Sequence, residues 1–293
     1  MSGVLIHIGF RKAGSTFIRD WFNSHPQLRT GGININAEFC RFESDNKWPE
    51  YFVLSEAFLL FKGDTPSRSI ANLKKYQRET CVRLKELFPA AKILVITRSP
   101  ETSITSEYSE YIKNGGTLTF NELTTNPEAI EYFIGYYDYN YILNLYCEAF
   151  GAENVIVLPF ELLNDAPDFF IEKLEDQLGL QRYNFSPHKR NPSIPYDKLM
   201  AFRRISLMLY KMAGMLGEKN KKYLTRKYTQ YLERESYKNQ KFHFLIKVIS
   251  LLGKENTERI IPPAELINGI RKNADILKTF PLFEKYLIKY CLF

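Results

Sequence analysis

The sequence has few of the residues that build disulfide frameworks and metal centres. Its 293 residues include only four cysteines and four histidines. The cysteines are Cys40, Cys81, Cys147 and Cys291. No two of them have the spacing of a zinc site or of a redox motif, and the histidines are as widely dispersed. We therefore expect reduced cysteines, a reducing compartment and no metal site.

Long apolar runs are also absent, and there are no internal repeats. The N-terminus shows no charged segment followed by an apolar run, so no signal peptide is predicted. The most apolar late stretch, residues 242–252, contains Lys247 and is too short to cross a bilayer. Cys291 stands one place too late for a prenylation box. Together these absences predict a cytoplasmic protein.

The composition is that of a globular protein with a basic surplus. Apolar residues make up 45% and charged residues 25%, and the net charge is +7. This balance suits an anionic ligand, a nucleic acid, an acidic glycan or a membrane surface, although solvated charges alone would account for it.

Apolar strands and amphipathic helices alternate over the first 180 residues. Strands are predicted at residues 4–8, 92–97 and 154–158, and helices at residues 16–22, 70–87, 101–113, 131–150 and 168–177. The pattern predicts an α/β fold, a three-layer α/β/α sandwich with a central parallel sheet. Residues 1–197 would form this core and residues 198–293 a mainly helical C-terminal part packed on it, as one domain overall. A proline-rich loop at 181–196 separates the two.

A phosphate-binding loop is predicted where the first strand runs into the first helix. Gly9 and Gly14 have the spacing of a Walker A loop, but Ser15 stands where that motif has its lysine, and Lys12 precedes Gly14 instead. The small residues of the loop, Ala13 among them, allow close backbone approach, and Ser15 and Thr16 supply hydroxyls.

A second basic site is predicted after the second strand. Arg98 stands at the carboxyl end of that strand, where open α/β sheets bind ligands. Ser106 follows two turns along the next helix. An arginine and a hydroxyl so placed are able to hold one phosphate.

These two motifs in this order resemble the sulfotransferases that use 3′-phosphoadenosine 5′-phosphosulfate (PAPS). The Lys-x-Gly-Ser-Thr loop is similar to their 5′-phosphosulfate loop, and the Arg-x-Pro segment followed by Ser-x-Tyr is similar to their 3′-phosphate motif. Residues 155–163 (Val-Ile-Val-Leu-Pro-Phe-Glu-Leu-Leu) and residues 270–277 resemble two further segments of the family.

The resemblance implies roles for individual residues. Lys12 would contact the 5′-phosphate and the bridging oxygen, and Arg11, Ala13, Gly14, Ser15 and Thr16 would complete the loop. Arg98 and Ser106 would bind the 3′-phosphate. Lys189 and Arg190 would cover the bound nucleotide. Transfer would leave 3′-phosphoadenosine 5′-phosphate (PAP) as the product, and no metal is required.

Transfer also needs a base to take the proton of the acceptor. The carbohydrate-type members use a glutamate, and Glu38 follows Lys12 at a similar distance, with apolar neighbours that would raise its pKa. Glu43 is the alternative, and His25 a further one that we expect at the surface. A glutamate base favours a carbohydrate acceptor, an acidic or lipid-linked glycan.

Two other readings stay open. One is a P-loop kinase or NTPase, which would need a lysine directly after Gly14. The other is a protein that binds polyanions or membranes without catalysis and retains a relic nucleotide loop. The basic cluster Lys219, Lys221, Lys222, Arg226 and Lys227 suits a glycan or a peripheral membrane contact, and no nucleic-acid partner is expected.

Overall fold

The computed structural model describes residues 2–34, 39–42, 49–56, 59–60, 69–186, 194–214 and 260–292. The chain divides into two compact units. The first consists of residues 1–103, 127–189 and 263–293, and the second of residues 104–126 and 190–262. The predicted boundary at residue 197 stays a prediction.

A six-stranded sheet forms the centre of the first unit. Its strands are β1 (Gly3–Gly9), β2 (Leu28–Asn34), β3 (Phe39–Phe42), β4 (Tyr51–Glu56), β5 (Lys92–Thr97) and β6 (Val155–Pro159). Their spatial order is β3-β2-β4-β1-β5-β6. Five strands run parallel, and β3 pairs with β2 in the antiparallel sense. The carboxyl ends of the five parallel strands therefore meet at one edge of the sheet.

Helices cover both faces of this sheet. Successive residues of a strand point to opposite faces, yet every residue of β6 is buried, as are the last five of β1 and of β5. Continuous burial of this kind is expected where helices flank a parallel sheet on both sides. The observed arrangement matches the predicted layers.

The rest of the first unit is mainly helical. Its helices are α1 (Ser15–Ser24), α2 (Ile70–Leu87), the start of α3 (Pro100–Lys113), α5 (Pro127–Tyr136), α6 (Tyr139–Phe150), α7 (Phe160–Asp165), α8 (Pro167–Leu178), α10 (Ala264–Arg271) and α11 (Leu287–Tyr290). The prediction of a single helix at residues 131–150 is wrong, because α5 ends at Tyr136 and α6 begins at Tyr139. Asp138 caps the start of α6, since its carboxylate accepts a hydrogen bond from the Tyr141 amide at 2.9 Å.

The second unit has an apolar cluster of its own. It contains the later part of α3, α4 (Phe120–Thr124) and α9 (Tyr196–Gly214). Tyr108 and Ile112 of α3 pack with Leu123 of α4 and with Leu199 and Phe202 of α9. Thr119 and Glu122 form a reciprocal capping box at the start of α4.

The last described residues return to the first unit. Besides α10 and α11, they form two 3₁₀ helices at Asp275–Thr279 and Pro281–Tyr286. Leu277, Phe283 and Tyr290 are fully buried, so this segment belongs to the core of that unit. None of the described helices has the length and apolar character that a membrane span requires.

Candidate functional site

The loop between β1 and α1 has an unusual backbone conformation. Lys12 has φ 62°, the only positive φ of a non-glycine residue in the described part of the chain, and Gly14 has φ 82°. A left-handed conformation costs a lysine free energy, so contacts elsewhere must hold it. The turn leads directly into α1, whose first amides have no partner within the helix and point along its axis.

Two long-range hydrogen bonds hold this loop. The Arg11 amide donates to the Tyr136 hydroxyl at 3.0 Å. Arg98 Nη1 donates to the Lys12 carbonyl at 2.6 Å. The second bond joins the loop after β1 to the residue that follows β5, so the two basic motifs of the sequence meet in the folded protein.

Position 14 requires glycine for two reasons: its backbone conformation, and the lack of room for a side chain. A Cβ there would lie 2.9 Å from Leu163 Cδ2 and 3.0 Å from the ring of Phe160. The Arg98 guanidinium lies over the same Phe160 ring, 4.6 Å from its centroid. Phe160 thus supports both the loop and the arginine.

A buried hydrogen-bond network lies around the start of α3. Glu161 is buried and accepts hydrogen bonds from the Ser99 amide, at 3.0 Å, and from the Tyr290 hydroxyl. Thr97 Oγ1 donates to the Tyr290 hydroxyl at 3.1 Å. The Tyr139 hydroxyl donates to the Arg98 carbonyl at 2.5 Å. These bonds fix the backbone on both sides of Arg98.

The electrostatics of this region favour neutral tyrosines. Burial first, and then the charge of Glu161, raises the pKa of Tyr290 well above its ordinary value. The same two causes raise the pKa of Tyr139. Both hydroxyls therefore keep their protons and act as donors.

Arg98 carries a partly desolvated charge. Burial lowers the pKa of its guanidinium, and Glu161 is the first of the groups that oppose this shift. A guanidinium remains charged throughout the working pH range of proteins. Its Nε donates to Thr102 Oγ1 at 3.1 Å. An anion bound beside Arg98 would offset the cost of removing this charge from water.

The structure brings together only part of the predicted site. Lys12, Ala13, Gly14 and Ser15 form the loop and the first turn of α1, with Thr16 exposed on that turn. Ser106 lies on α3, in the stretch that belongs to the second unit, so its role at the 3′-phosphate stays a prediction. Four predicted residues lie outside the described part of the chain: Glu38, Glu43, Lys189 and Arg190.

The surface position expected for His25 is wrong. His25 is 2% exposed and follows the last residue of α1, near the amino end of β2. The Gln27 amide donates to its Nδ1 at 3.2 Å, and Nε2 lies 3.3 Å from the Gln181 carbonyl. Helix α1 runs from the carboxyl edge of the sheet to the amino edge, so His25 lies at the edge opposite the loop.

Several residues of this site were not found from the sequence. Tyr136, Tyr139 and Tyr290 stood out only as part of a high aromatic content, 15% of the chain. Their partners are 125, 41 and 129 positions away, too far for any local pattern to show. Glu56 was missed because β4, which it ends, was not predicted. The described residues contain no group of three or more metal-ligating side chains.

The fold and the loop define an α/β protein with a basic turn and a helix N-terminus at the carboxyl edge of a parallel sheet. No family model matches the chain, and no curated protein matches it in sequence. Among solved structures it is similar to a sulfotransferase from Alicyclobacillus acidocaldarius, with 20% identity and a TM-score of 0.50, over 71% of this chain and 94% of that one. It is also similar to mouse sulfotransferase SULT7A1 complexed with PAP, with 11% identity and a TM-score of 0.37, over 74% of this chain and 69% of that one.

At this identity the first likeness shows the fold alone. The fold is of the sulfotransferase type, with five parallel strands and flanking helices, and the predicted fold class is confirmed.

Proposed function

We propose that this protein is a sulfotransferase that transfers the sulfuryl group of PAPS to a hydroxyl or amine of an acceptor. The observation that carries the proposal is the hydrogen bond from Arg98 to the Lys12 carbonyl. It places a cationic loop at a helix N-terminus in direct contact with a partly desolvated arginine. A nucleotide with phosphates at both its 5′ and 3′ positions has two anionic groups to match them.

The loop suits the 5′-phosphosulfate. The first amides of α1 and the positive end of the helix dipole favour an anion at this position. Lys12 adds a positive charge to the loop, and the hydroxyls of Ser15 and Thr16 stand on the first turn of α1. Arg11 would contribute mainly through its backbone, since its amide is held by Tyr136.

Arg98 suits the 3′-phosphate. Its Nε and Nη1 contact Thr102 and the loop, and a planar guanidinium has five N–H donors in all. Ser106 would add a hydroxyl, as the resemblance implies. The 3′-phosphate at Arg98 and the 5′-phosphosulfate at the loop would then bind to two parts of the protein that are hydrogen-bonded to each other.

Catalysis would depend on positioning and on charge. Sulfuryl transfer needs an in-line acceptor and stabilisation of the charge that grows on the leaving phosphate oxygen. Lys12 and the N-terminus of α1 supply that stabilisation. Glu38 remains the sequence-based candidate for the base and Glu43 its alternative, whereas His25 lies at the wrong edge of the sheet.

For the acceptor we propose a carbohydrate, an acidic or lipid-linked glycan met in the cytoplasm. The support is the net charge of +7 and the glutamate base that carbohydrate-type sulfotransferases share. Lys189 and Arg190 would cover the bound nucleotide. Peripheral contact with a membrane would fit a lipid-linked acceptor.

Calorimetry with three nucleotides tests the proposal. We expect 3′-phosphoadenosine 5′-phosphate (PAP) to bind more tightly than ATP or adenosine 5′-phosphate, by at least about tenfold, because a charge-assisted hydrogen bond contributes roughly 1.5–3 kcal/mol. Equal or tighter binding of ATP would overturn it in favour of a P-loop enzyme.

Lys12→Ala should weaken PAP binding and reduce sulfuryl transfer by about 10²–10³-fold, the usual effect of losing one group that stabilises the developing charge. Lys75→Ala is the matched control. It removes a lysine side chain that is 74% exposed on α2, where it pairs with Glu79, and should change neither quantity.

A further inference from the structure

The carboxyl edge of the sheet holds a glutamate that the sequence analysis did not single out. Strand β4 lies between β2 and β1, and it ends at Glu56. Glu56 is paired with Ile8 of β1, one residue before the strand reaches Gly9 and the phosphate loop begins. Neighbouring strands are about 4.8 Å apart. The backbone of Glu56 therefore lies beside the entry to the loop.

Helix α1 provides the charge that acts on Glu56. Arg19 is exposed on the second turn of α1, and its Nε donates to the Ser15 carbonyl at 3.3 Å. Its positive charge partly opposes the effect of burial, which raises the pKa of Glu56. Glu56 is partly buried, and β4 brings its backbone to the same edge of the sheet as the loop and the N-terminus of α1.

His7 of β1 and Ser55 of β4 are paired in the sheet one residue before Glu56. His7 of β1 is fully buried and its Nδ1 lies 2.8 Å from Ser55 Oγ. Burial, assisted by Arg19, lowers the pKa of His7 to about 3. A neutral His7 leaves Arg19 as the charged group that shifts the pKa of Glu56. Because burial raises its pKa, the Glu56 carboxylate binds a proton more strongly than an exposed carboxylate does, as suits a base.

We propose that Glu56 is the catalytic base that takes the proton of the acceptor hydroxyl, an inference that rests on the proposed sulfuryl transfer. The acceptor oxygen forms a bond to sulfur as its proton passes to the Glu56 carboxylate. The bond between sulfur and the bridging oxygen breaks, and its electron pair stays on the 5′-phosphate of the departing PAP. No further reactant is needed.

Glu38, the candidate from the sequence, lies outside the described residues, whereas Glu56 ends β4. Pairing with Ile8 holds the Glu56 backbone at a fixed position beside β1, whose end leads into the loop. A fixed backbone favours Glu56, because a base works only when it is held within hydrogen-bond reach of the proton it removes.

Three isosteric variants test the assignment: Glu56→Gln, Glu38→Gln and Glu50→Gln. Glu50 is the matched control, since it is exposed and precedes the same strand at the opposite edge of the sheet. The assay follows release of PAP from PAPS, with p-nitrophenol and a chito-oligosaccharide as acceptors, or with water if neither reacts. Calorimetry with PAP is run on every variant.

We expect Glu56→Gln to bind PAP normally and to turn over about 10²–10⁴-fold more slowly, the contribution typical of a general base. The acidic limb of the wild-type pH–rate profile should vanish in this variant, and Glu56→Asp should recover part of the rate. Glu50→Gln should retain both the rate and the limb.

Normal turnover of Glu56→Gln with intact PAP binding would overturn the assignment and leave the sulfotransferase proposal standing. Loss of turnover in Glu38→Gln alone would give the role to Glu38. Failure of the wild-type protein to prefer PAP over adenosine 5′-phosphate would instead overturn the proposed function itself.

Discussion

Two arginines at opposite edges of the same sheet have contrasting surroundings. Arg182, at the amino edge, forms ion pairs with Glu172, Glu175 and Asp176, the last at 2.6 Å. Arg98, at the carboxyl edge, contacts a backbone carbonyl, a hydroxyl and an aromatic ring. Within the described residues, no carboxylate lies at ion-pair distance from Arg98.

The difference distinguishes an arginine that serves stability from one suited to bind a ligand. The charge of Arg182 is balanced by its neighbours, and one of them, Glu175, is buried. The charge of Arg98 is partly desolvated, and among the residues that the structure describes no carboxylate contacts it. Proteins tolerate such a charge where an anion completes the site.

For the contrast between the two arginines, the largest effect should come from removing each of them in turn. Arg98→Ala should weaken PAP binding by about 10–100-fold, since it loses charge-assisted hydrogen bonds and the support of the Lys12 carbonyl. Binding of adenosine 5′-phosphate should fall less. Arg182→Ala should leave both affinities unchanged and lower the urea midpoint of unfolding. Equal loss of PAP affinity in the two variants would abolish the contrast.

The pH dependence of the free energy of unfolding tests the burial of His7, near the carboxyl edge of the sheet. The pKa of His7 is about 3 in the folded protein and 6.5 as its ordinary value. The folded state favours the neutral ring, so its stabilising effect is present above pH 6.5 and is lost as the pH falls toward 3. The loss is about 1.4 kcal/mol per pH unit in that window. His7→Gln should flatten this dependence in urea unfolding curves between pH 4 and 6.5; an unchanged slope would assign it to other groups.

Tyr290→Phe should have a smaller effect. It removes the hydroxyl that donates to Glu161, at a cost of roughly 1–3 kcal/mol in the free energy of unfolding because a buried carboxylate loses a partner. PAP affinity should fall by less than in Arg98→Ala, since Ser99 still donates to Glu161. Tyr286→Phe is the control, because its hydroxyl contacts Asp165 at 3.1 Å, away from Arg98. Equal PAP affinity in Tyr290→Phe and wild type would show that the network does not position Arg98.

The smallest effect is expected from chelation. In the proposed reaction, Lys12 and the N-terminus of α1 would supply the positive charge that a metal would otherwise bring to the leaving phosphate. Sulfuryl transfer should therefore continue at the same rate in EDTA. A complete loss of activity that Mg²⁺ restores would show that the loop does not act alone.

The sequence predicted the parts of the fold that repeat a local pattern. The strand at residues 92–97 and the helix at residues 70–87 have the predicted bounds, because apolar runs and helical spacing are visible within one window. Strands β2, β3 and β4 were missed. The glycines at 31 and 32 and the mixed polarity of residues 28–56 hide them, and pairing with distant partners stabilises them.

The candidate site was likewise predicted only in part. The loop around Lys12 and the position of Arg98 follow from the sequence, since each is a short motif at the end of a predictable strand. That Arg98 donates to the Lys12 carbonyl, 86 positions away, was decided by the sheet order that makes β1 and β5 neighbours.

The sequence by itself therefore predicted which residues have the chemistry to bind phosphate, because charge, hydroxyls and small side chains are properties of single positions. Only the tertiary structure decided which of them meet. Parallel strands bring their carboxyl ends to one edge whatever their separation along the chain, and this edge places Lys12, Arg98 and Glu56 on neighbouring strand ends.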